Sequence, residues 1–323
     1  MASSSSKKVI YAAFAGNMLI AITKFGAAAV TGSSAMFSEA IHSVVDTGNQ
    51  LLLLYGIRRA SRPPDDQHPF GYGMELYFWT FVVAIIVFGL GAGVSILEGI
   101  DKFRHPVPVT DTFVNYIVLG FATVFEAAAW TVAYLEFRKR KGATGFFRAI
   151  RRSKDPTVFT VLFEDTAAML GLLVAFGGIF LGDLLDLPVL DAAASIVIGV
   201  ILAVTAILLA YESKGLLIGE GASRAVVAGI REIITKQPGI LAINESLTLH
   251  FSPEDVLLTL SLDFSDNMSS ADVEGAISKM EREIKAAYPE IRRVFIEAQS
   301  IAAHKSDIAR TSESEDVDPE RVS

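Results

Sequence analysis

Six long apolar stretches occupy most of the first 212 residues and constrain the fold more than any other feature. They cover residues 9–30, 34–57, 75–99, 112–136, 157–182 and 189–212. As helices, at 1.5 Å per residue, each would be about 30 Å long or more, the thickness of the hydrocarbon core of a bilayer. The chain is 51% hydrophobic with a mean hydropathy of +0.44, which excludes an ordinary soluble protein. The sequence therefore predicts a membrane α-helical bundle of six transmembrane helices over residues 9–215.

Basic residues are distributed unevenly between these stretches, and their distribution predicts the orientation of the bundle. The N-terminal tail and the loops after the second and fourth stretches contain thirteen Lys and Arg residues, whereas the opposite side has only Lys102 and Arg104. The basic side is cytoplasmic under the positive-inside rule. We therefore expect both termini in the cytoplasm, residues 1–8 as an N-terminal cytoplasmic tail, and a multi-pass protein of the bacterial inner (plasma) membrane.

The sequence after the sixth stretch changes to the shorter patterns of a soluble domain. Two segments have helical periodicity and three alternate as strands do. In chain order they are Ser223–Lys236, 240–250, 256–264, a helix that begins at Ser269, and 291–298. Helix–strand–strand–helix–strand is the order of a small α+β domain of the split-βαβ, ferredoxin-like type. We expect this cytoplasmic domain over residues 221–300.

Two local features mark the limits of this domain. Ser269 is followed three residues later by Asp272, which fits a capping box at a helix N-terminus. Residues 301–323 are polar and acidic and have no periodicity. Such segments bury too little apolar surface to fold, so we expect a disordered acidic tail.

Polar residues inside the apolar stretches are costly in a bilayer and usually face a cavity or a partner. In the second stretch Glu39, His42 and Asp46 are three and four residues apart, so they share one helix face. A His and an Asp separated by one helical turn can both bind one divalent cation. The alternative is a buried polar cluster that only fixes helix packing.

Polar groups from four stretches lie at a common depth. Asn17, Asp46, Glu126 and Asp165 each lie about 12–16 Å from the cytoplasmic end of their helix, and His42 lies one turn further out. Structural hydrogen bonds scattered through a bundle would not be expected to share one level. Secondary transporters bind their substrates near the bilayer midplane. The sequence therefore predicts a cation site at that level.

The ligand types limit the choice of metal. The chain has no cysteine, which excludes disulfides, thiolate sites and iron–sulfur clusters. Nitrogen and oxygen ligands favour zinc, manganese, iron(II), cobalt, nickel or magnesium over copper(I). We expect a divalent metal ion as the substrate, no organic cofactor and no nucleic-acid partner.

Lys24 is a basic residue within the first stretch, and two interpretations of it are open. Lys24 and Glu39 both lie about 8–9 Å from the outer ends of their helices. Lys24 could extend its ammonium group to the lipid headgroups. Alternatively, it forms an ion pair beside the cation site, with Glu39 or Asp46.

Two motifs together carry a family resemblance. They are GSSAMFSEAIHSVVDTGNQ in the second stretch and PDDQHPFGYG in the loop that follows. With six spans and a small cytoplasmic domain, the sequence resembles the cation diffusion facilitator family over residues 9–300. FEDTAAMLG at 163–171 and Glu126 are similar to the branch that includes the mitochondrial zinc transporter of animals. The resemblance implies a homodimer in the lipid bilayer, not an enzyme, that exports divalent metal, usually zinc, against inward-moving protons.

The resemblance also implies a transport site with two ligands from the second span and two from the fifth. His42 and Asp46 match the first pair, and Asp165 matches one member of the second. The other member falls on Val161, which cannot bind a metal. The candidates for the missing ligand are Glu126, Glu164 and Asn17.

The loop motif and the C-terminal domain carry further implications. Some relatives bind a second zinc ion in the loop; here Asp65, Asp66 and His68 are present, but Tyr72 replaces a ligand-type residue. The C-terminal domain resembles the family's dimerisation domain. Its single His250 and the absence of cysteine argue against a metal cluster there.

The sequence thus predicts proton-coupled efflux of a divalent cation from the cytoplasm by alternating access, with zinc as the substrate. Three alternatives remain open. The first is an exporter of the same type for manganese, iron(II) or cobalt, because one imidazole among carboxylates is less typical of zinc than two would be. The others are a membrane metal sensor and an intramembrane metalloenzyme.

Overall fold

The computed structural model describes residues 4–141 and 155–316, which fall into two compact units, Met1–Leu217 and Ile218–Ser323. Six long helices form the described part of the first unit. They are α1 (Ser4–Thr31), α2 (Ser34–Ala60), α3 (Glu75–Arg104), α4 (Thr112–Lys141), α5 (Pro156–Leu185) and α6 (Val189–Ile218). Each contains most or all of one predicted stretch and extends beyond it at one end or both.

Four of these helices are long and apolar enough to cross a membrane. The qualifying segments lie in α3 to α6, and each has at least 24 residues. α2 has similar length but contains Glu39, Asp46 and two arginines at its end, while the described apolar part of α1 is Asn17–Thr31. The prediction of a multi-pass helical membrane domain is therefore confirmed, whereas the count of six spans remains a prediction.

The start of α2 is held by a carboxylate from α6. Gly32 turns the chain with a φ of +72°, and the Ser33 hydroxyl accepts the N–H of Met36 at 3.1 Å. Asp191 accepts hydrogen bonds from the Ser33 hydroxyl at 2.5 Å and from the N–H and hydroxyl of Ser34 at 2.6 and 2.8 Å. A carboxylate is favoured at a helix N-terminus, where N–H groups have no intrahelical partner. Asp191 therefore fixes α2, the helix with Glu39, His42 and Asp46, against α6.

Replacing Asp191 by Ala should destabilise the membrane domain without touching the candidate site. The substitution leaves buried donors of Ser33 and Ser34 unpaired, and hydrogen bonds to charged groups contribute about 1.5–3 kcal/mol each. We expect a clearly lower melting temperature in detergent. Asp101→Ala is the control, because that carboxylate is exposed at the end of α3. Equal melting temperatures for the two variants would show that Asp191 does not hold α2.

α3 and α6 approach closely because each helix places a glycine against the backbone of the other. A Cβ at Gly99 would lie 3.0 Å from the carbonyl oxygen of Ala192, and one at Gly199 would lie 3.0 Å from the carbonyl oxygen of Ala92. α3 also departs from α-helical geometry over Val87–Ala92, which is π-helical. Such segments are rare and often occur near functional sites.

The second unit is an α+β fold with one mixed sheet. Its elements are α7 (Arg224–Thr235), β1 (Ile240–Ser252), β2 (Asp255–Phe264), α8 (Ser270–Ala287), β3 (Ile291–Ala298) and α9 (Ile301–Asp316). β1 pairs antiparallel with β2, and β2 pairs parallel with β3. The core is formed by Ile230 and Ile234 of α7, Met280 and Ile284 of α8, and the buried face of β2. The predicted capping box at the start of α8 is confirmed.

The split-βαβ, ferredoxin-like prediction is wrong in its strand pairing. In a split unit another strand lies between the two parallel strands that a helix connects. Here the sheet order is β1-β2-β3, so α8 connects two strands that are direct neighbours within the described residues. Alternation along a strand indicates which side chains face the core, but it does not identify the neighbouring strand.

Both ends of the chain are more helical than expected. α1 begins at Ser4, inside the expected tail of residues 1–8. α9 covers much of residues 301–323, which were expected to be disordered. The Ser300 hydroxyl accepts the N–H of Ala303 at 3.3 Å, so it caps α9, and two alanines in the first turn favour the helix. Residues beyond α9 lie outside the described part.

Candidate metal centre

A small cavity among α1, α2, α4 and α5 gathers the polar groups that were expected at one depth. Its volume is about 40 Å³, counted as space open to the centre of a water molecule. One water needs about 10–15 Å³ on this measure, so a partly hydrated cation fits. The lining residues are Asn17, Ile20, Ser43, Asp46, Gln50, Phe125, Glu126, Ala129 and Asp165. All four residues placed at the midplane by helix geometry therefore line one cavity.

Asp46 and His42 form the α2 side of this region. His42 Nε2 lies 3.2 Å from Asp46 Oδ2, and the imidazole is buried. Asp46 Oδ1 is also buried and has no hydrogen-bond partner among the described residues. A buried carboxylate oxygen without a partner is unfavourable unless a ligand satisfies it. Asp46 is therefore the best-placed candidate ligand on the cavity wall.

Glu126 of α4 and Asn17 of α1 line the same cavity as Asp46 and Asp165. Both are candidates for the ligand that is missing at Val161, and that role remains a prediction. Val161 instead packs against the apolar core of the helix bundle. Glu164 is not part of the cavity lining; it is buried and accepts a hydrogen bond from Asn49 Nδ2 at 2.8 Å. Adjacent residues on a helix point about 100° apart, which separates Glu164 from Asp165.

The candidate ligands share a cavity but do not form a closed coordination sphere. Within residues 4–141 and 155–316, no three His, Cys, Asp or Glu side chains lie together at metal-binding distance. Carboxylates in a low-dielectric interior repel each other when no cation lies between them. A divalent cation would therefore have to draw the side chains of Asp46, Glu126 and Asp165 inward.

Lys24 forms the ion pair that was one of its two interpretations. Its ammonium group is 1% exposed and donates to Glu39 Oε2 at 3.0 Å and to the Ser43 hydroxyl at 2.8 Å. Lys24 therefore points into the bundle toward α2, rather than outward to the lipid headgroups, and its partner is Glu39 rather than Asp46.

The loop residues Asp65, Asp66 and His68 do not form a metal-binding cluster in the structure. Asp65 Oδ2 accepts the Tyr72 hydroxyl at 2.6 Å, and Asp65 Oδ1 accepts two backbone N–H groups at 2.8 and 3.1 Å. The rings of His68 and Tyr72 are in contact, with centroids 4.2 Å apart and planes tilted by 34°. Both oxygens of Asp65 are thus used to shape the loop, and Tyr72 is part of that arrangement.

The hydrogen bond from Tyr72, followed by those from the backbone, lowers the pKa of Asp65. A carboxyl with a depressed pKa in the folded protein stabilises the fold above its unfolded pKa, and this contribution is lost as pH falls through the folded value. Tyr72→Phe should raise the pKa of Asp65 toward its ordinary value. Carboxyl NMR titration tests this, with Tyr211→Phe as the control. An unchanged titration of Asp65 in Tyr72→Phe would show that the hydroxyl does not hold the loop.

Sequence reasoning missed several residues that shape this region. Ser43 and Gln50 line the cavity on either side of Asp46, and their spacing of three and four residues along α2 could have indicated this. Gly171 of α5 was also overlooked. A Cβ on Gly171 would overlap Oε1 of Glu39, so α5 can approach α2 there only without a side chain.

Comparison with known proteins assigns the membrane unit to a family. The cation efflux transmembrane domain matches residues 10–218 of the chain. The helical membrane unit thus matches a family of integral, multi-pass cation transporters, a class that is not enzymatic. The chain belongs to the cation efflux family, also called the cation diffusion facilitator family, as its motifs indicated.

Proteins from an animal, a plant and a bacterium are similar to this chain in sequence. The mitochondrial proton-coupled zinc antiporter SLC30A9 of Xenopus laevis is 32% identical over 288 residues, 87% of this chain and 51% of its own. The metal tolerance protein C4 of Arabidopsis thaliana is 28% identical over 265 residues, 81% of this chain and 58% of its own. The cation-efflux pump FieF of Escherichia coli is 24% identical over 281 residues, 86% and 87% of the two chains. The chain spans about half the length of the animal relative, whose branch it resembles.

Proposed function

We propose that this protein exports zinc from the cytoplasm by alternating access, in exchange for protons that move inward. The observation that supports this most is the cavity within the helix bundle whose wall contains Asp46, Glu126 and Asp165, with His42 bonded to Asp46. The name of the animal relatives, a proton-coupled zinc antiporter, supports the substrate and the coupling. The proposal includes six spans, cytoplasmic termini and location in a bacterial inner membrane.

The proposed cycle uses competition between metal and protons for the same groups. Only deprotonated carboxylates and neutral imidazole bind a metal, so metal binding releases protons. Zinc from the cytoplasm binds Asp46, Glu126, Asp165 and His42, with Asn17 or water completing the site. When the site opens outward, protons displace the metal. An imidazole ordinarily titrates near neutral pH, which suits His42 to accept one of these protons.

Manganese, iron(II) and cobalt are the alternative substrates, and one observation supports a harder ion than zinc. The polar groups of the cavity wall are all oxygen or amide donors, with His42 bonded to Asp46 rather than part of the lining. Oxygen ligands suit manganese better than zinc. Uptake of each metal into sealed proteoliposomes, alone and in competition, decides between them. We expect zinc to be preferred. Preference for manganese would change the proposed substrate but not the proposed site. If the protein were a metal sensor instead, no metal would enter the proteoliposomes.

We further propose that the protein is a homodimer whose second units pair through their open sheet faces. Leu247 of β1, Thr259 of β2 and Phe295 of β3 form one row across the sheet by their pairing register. Leu247 and Phe295 are 55% and 58% exposed, on the face opposite the helices α7 and α8. A row of exposed apolar side chains on a sheet is a typical contact surface.

Placing a charge in this row should abolish pairing of the second unit. We expect residues 218–323 to sediment as a dimer and the Leu247→Asp, Phe295→Asp double variant as a folded monomer, because the contact would bury two unpaired carboxylates. Ser278→Asp adds a carboxylate on exposed α8 and serves as the control. A monomeric parent unit at high micromolar concentration, or a dimeric double variant, would contradict the proposed interface.

A further inference from the structure

Lys24 places a fixed positive charge next to the candidate metal centre, although no step of the proposed cycle uses it. It extends from α1 to α2, where its ammonium group bonds Glu39 Oε2 and the Ser43 hydroxyl. Ser43 is also part of the wall of the cavity that contains Asp46. The charge of Lys24 is therefore one hydroxyl group away from the space in which a transported cation would bind.

Glu39 has one carboxylate oxygen that Lys24 binds and a second oxygen that could bind a metal. It is fully buried, and its Oε1 has no hydrogen-bond partner among the described residues. A Cβ on Gly171 would overlap this oxygen and lie 3.9 Å from Nδ1 of His42, so the oxygen and the imidazole border the same space. Since Nε2 of His42 lies beside Asp46, the imidazole stands between Asp46 and Glu39. If Lys24 released it, Glu39 could therefore join a metal that His42 binds through Nδ1.

We propose that Lys24 is a built-in counter-charge that keeps Glu39 out of the metal's ligand set and thereby sets how tightly the cation is held. This inference rests on the proposed function. A transport site must bind its ion strongly enough to load it and weakly enough to release it. An additional carboxylate ligand next to His42 would shift that balance toward retention. The ammonium group of Lys24 prevents this by pairing with Glu39 inside the bundle.

Removing the charge of Lys24 tests this role directly. In Lys24→Met, Glu39 becomes available to the metal, so zinc affinity of the full chain in detergent should rise about 10- to 100-fold, the range over which groups around a metal centre typically tune affinity. In proteoliposomes KM and the maximal rate should fall together, because release becomes slow. The Lys24→Met, Glu39→Gln double variant should return to wild-type affinity. Lys102→Met, at the end of α3, is the control for loss of a lysine.

A purely structural ion pair gives a different result. Loss of such a pair would lower the melting temperature of the Lys24 variants but leave zinc affinity equal in every variant that folds. That result would overturn the inference. Lys24→Met leaves Glu39 buried without a counter-charge and could fail to fold. Lys24→Gln covers that case, because its amide still donates hydrogen bonds; tighter zinc binding supports the inference and unchanged binding overturns it.

The same experiment separates this inference from the function on which it rests. If the wild-type protein moves zinc and the folded Lys24 variants bind it as the wild type does, only the role of Lys24 is wrong. A wild-type protein that neither binds nor moves a divalent metal would overturn the proposed function, and the role of Lys24 would be overturned with it.

Discussion

Asp46→Asn should reduce zinc transport by about 100-fold or more while leaving the fold intact. Groups that only orient a metal ligand already contribute about 10- to 100-fold to affinity, so loss of a ligand should cost at least as much. Asn keeps the shape of the side chain and can still pair with His42, 3.2 Å away, but it lacks the negative charge. The initial rate of zinc uptake into proteoliposomes measures the effect, and His42→Ala should abolish transport in the same assay.

Asp101→Asn is the matched control, since its carboxylate is exposed at the end of α3, a helix that contributes no residue to the cavity wall. It should transport zinc at the wild-type rate. Melting temperature and elution volume in detergent establish that each variant is folded. If Asp46→Asn transports as fast as the control, the candidate site is in the wrong place.

Glu126→Gln should weaken zinc binding by about tenfold or more and flatten the pH dependence of transport. Glu126 lines the cavity with Asp46 and Asp165. Val161 packs against the apolar core and cannot bind a metal, so it does not compete with Glu126 as a ligand. Gln keeps the shape of Glu and removes its titration, so protons can no longer displace the metal from this group. Isothermal titration with zinc and uptake rates measured across a series of pH values check the two effects.

Glu98→Gln provides the control for this second prediction. Glu98 lies in the C-terminal part of α3 and is not in the cavity lining. Unchanged affinity and an unchanged pH profile in Glu126→Gln would make Glu126 a structural residue. The missing ligand would then be water or Asn17, because Glu164 is held by Asn49.

The positions of the long helices could be predicted from the sequence because the bilayer imposes a minimum apolar length. The ends of the helices could not be predicted, because each helix continues into polar flanking residues. Hydrophobicity no longer distinguishes a helix from a loop there. α2 ends at Ala60, beyond Arg58 and Arg59, and α3 continues to Arg104. In the second unit, alternation predicted each strand, but the direct pairing of β2 with β3 depends on contacts far apart in sequence.

The candidate site was partly predictable because depth along a helix follows from residue number. Asn17, Asp46, Glu126 and Asp165 were placed at one level and line one cavity. Rotation and neighbours across helices do not follow from one sequence. The pairing of Glu164 with Asn49 and the contact of Gly171 with Glu39 therefore appear only in the structure, as does the bond from Asp191 to α2.

A divalent cation and protons should cross the membrane in opposite directions through the cavity at Asp46. Simultaneous recording of zinc and proton movement in sealed proteoliposomes tests it most directly. With a proton gradient imposed, the wild-type protein should move zinc against the direction of proton flow, and Asp46→Asn should move neither ion. Proteoliposomes that hold folded protein but move no zinc, or that move zinc equally well with Asn at position 46, would contradict the claim.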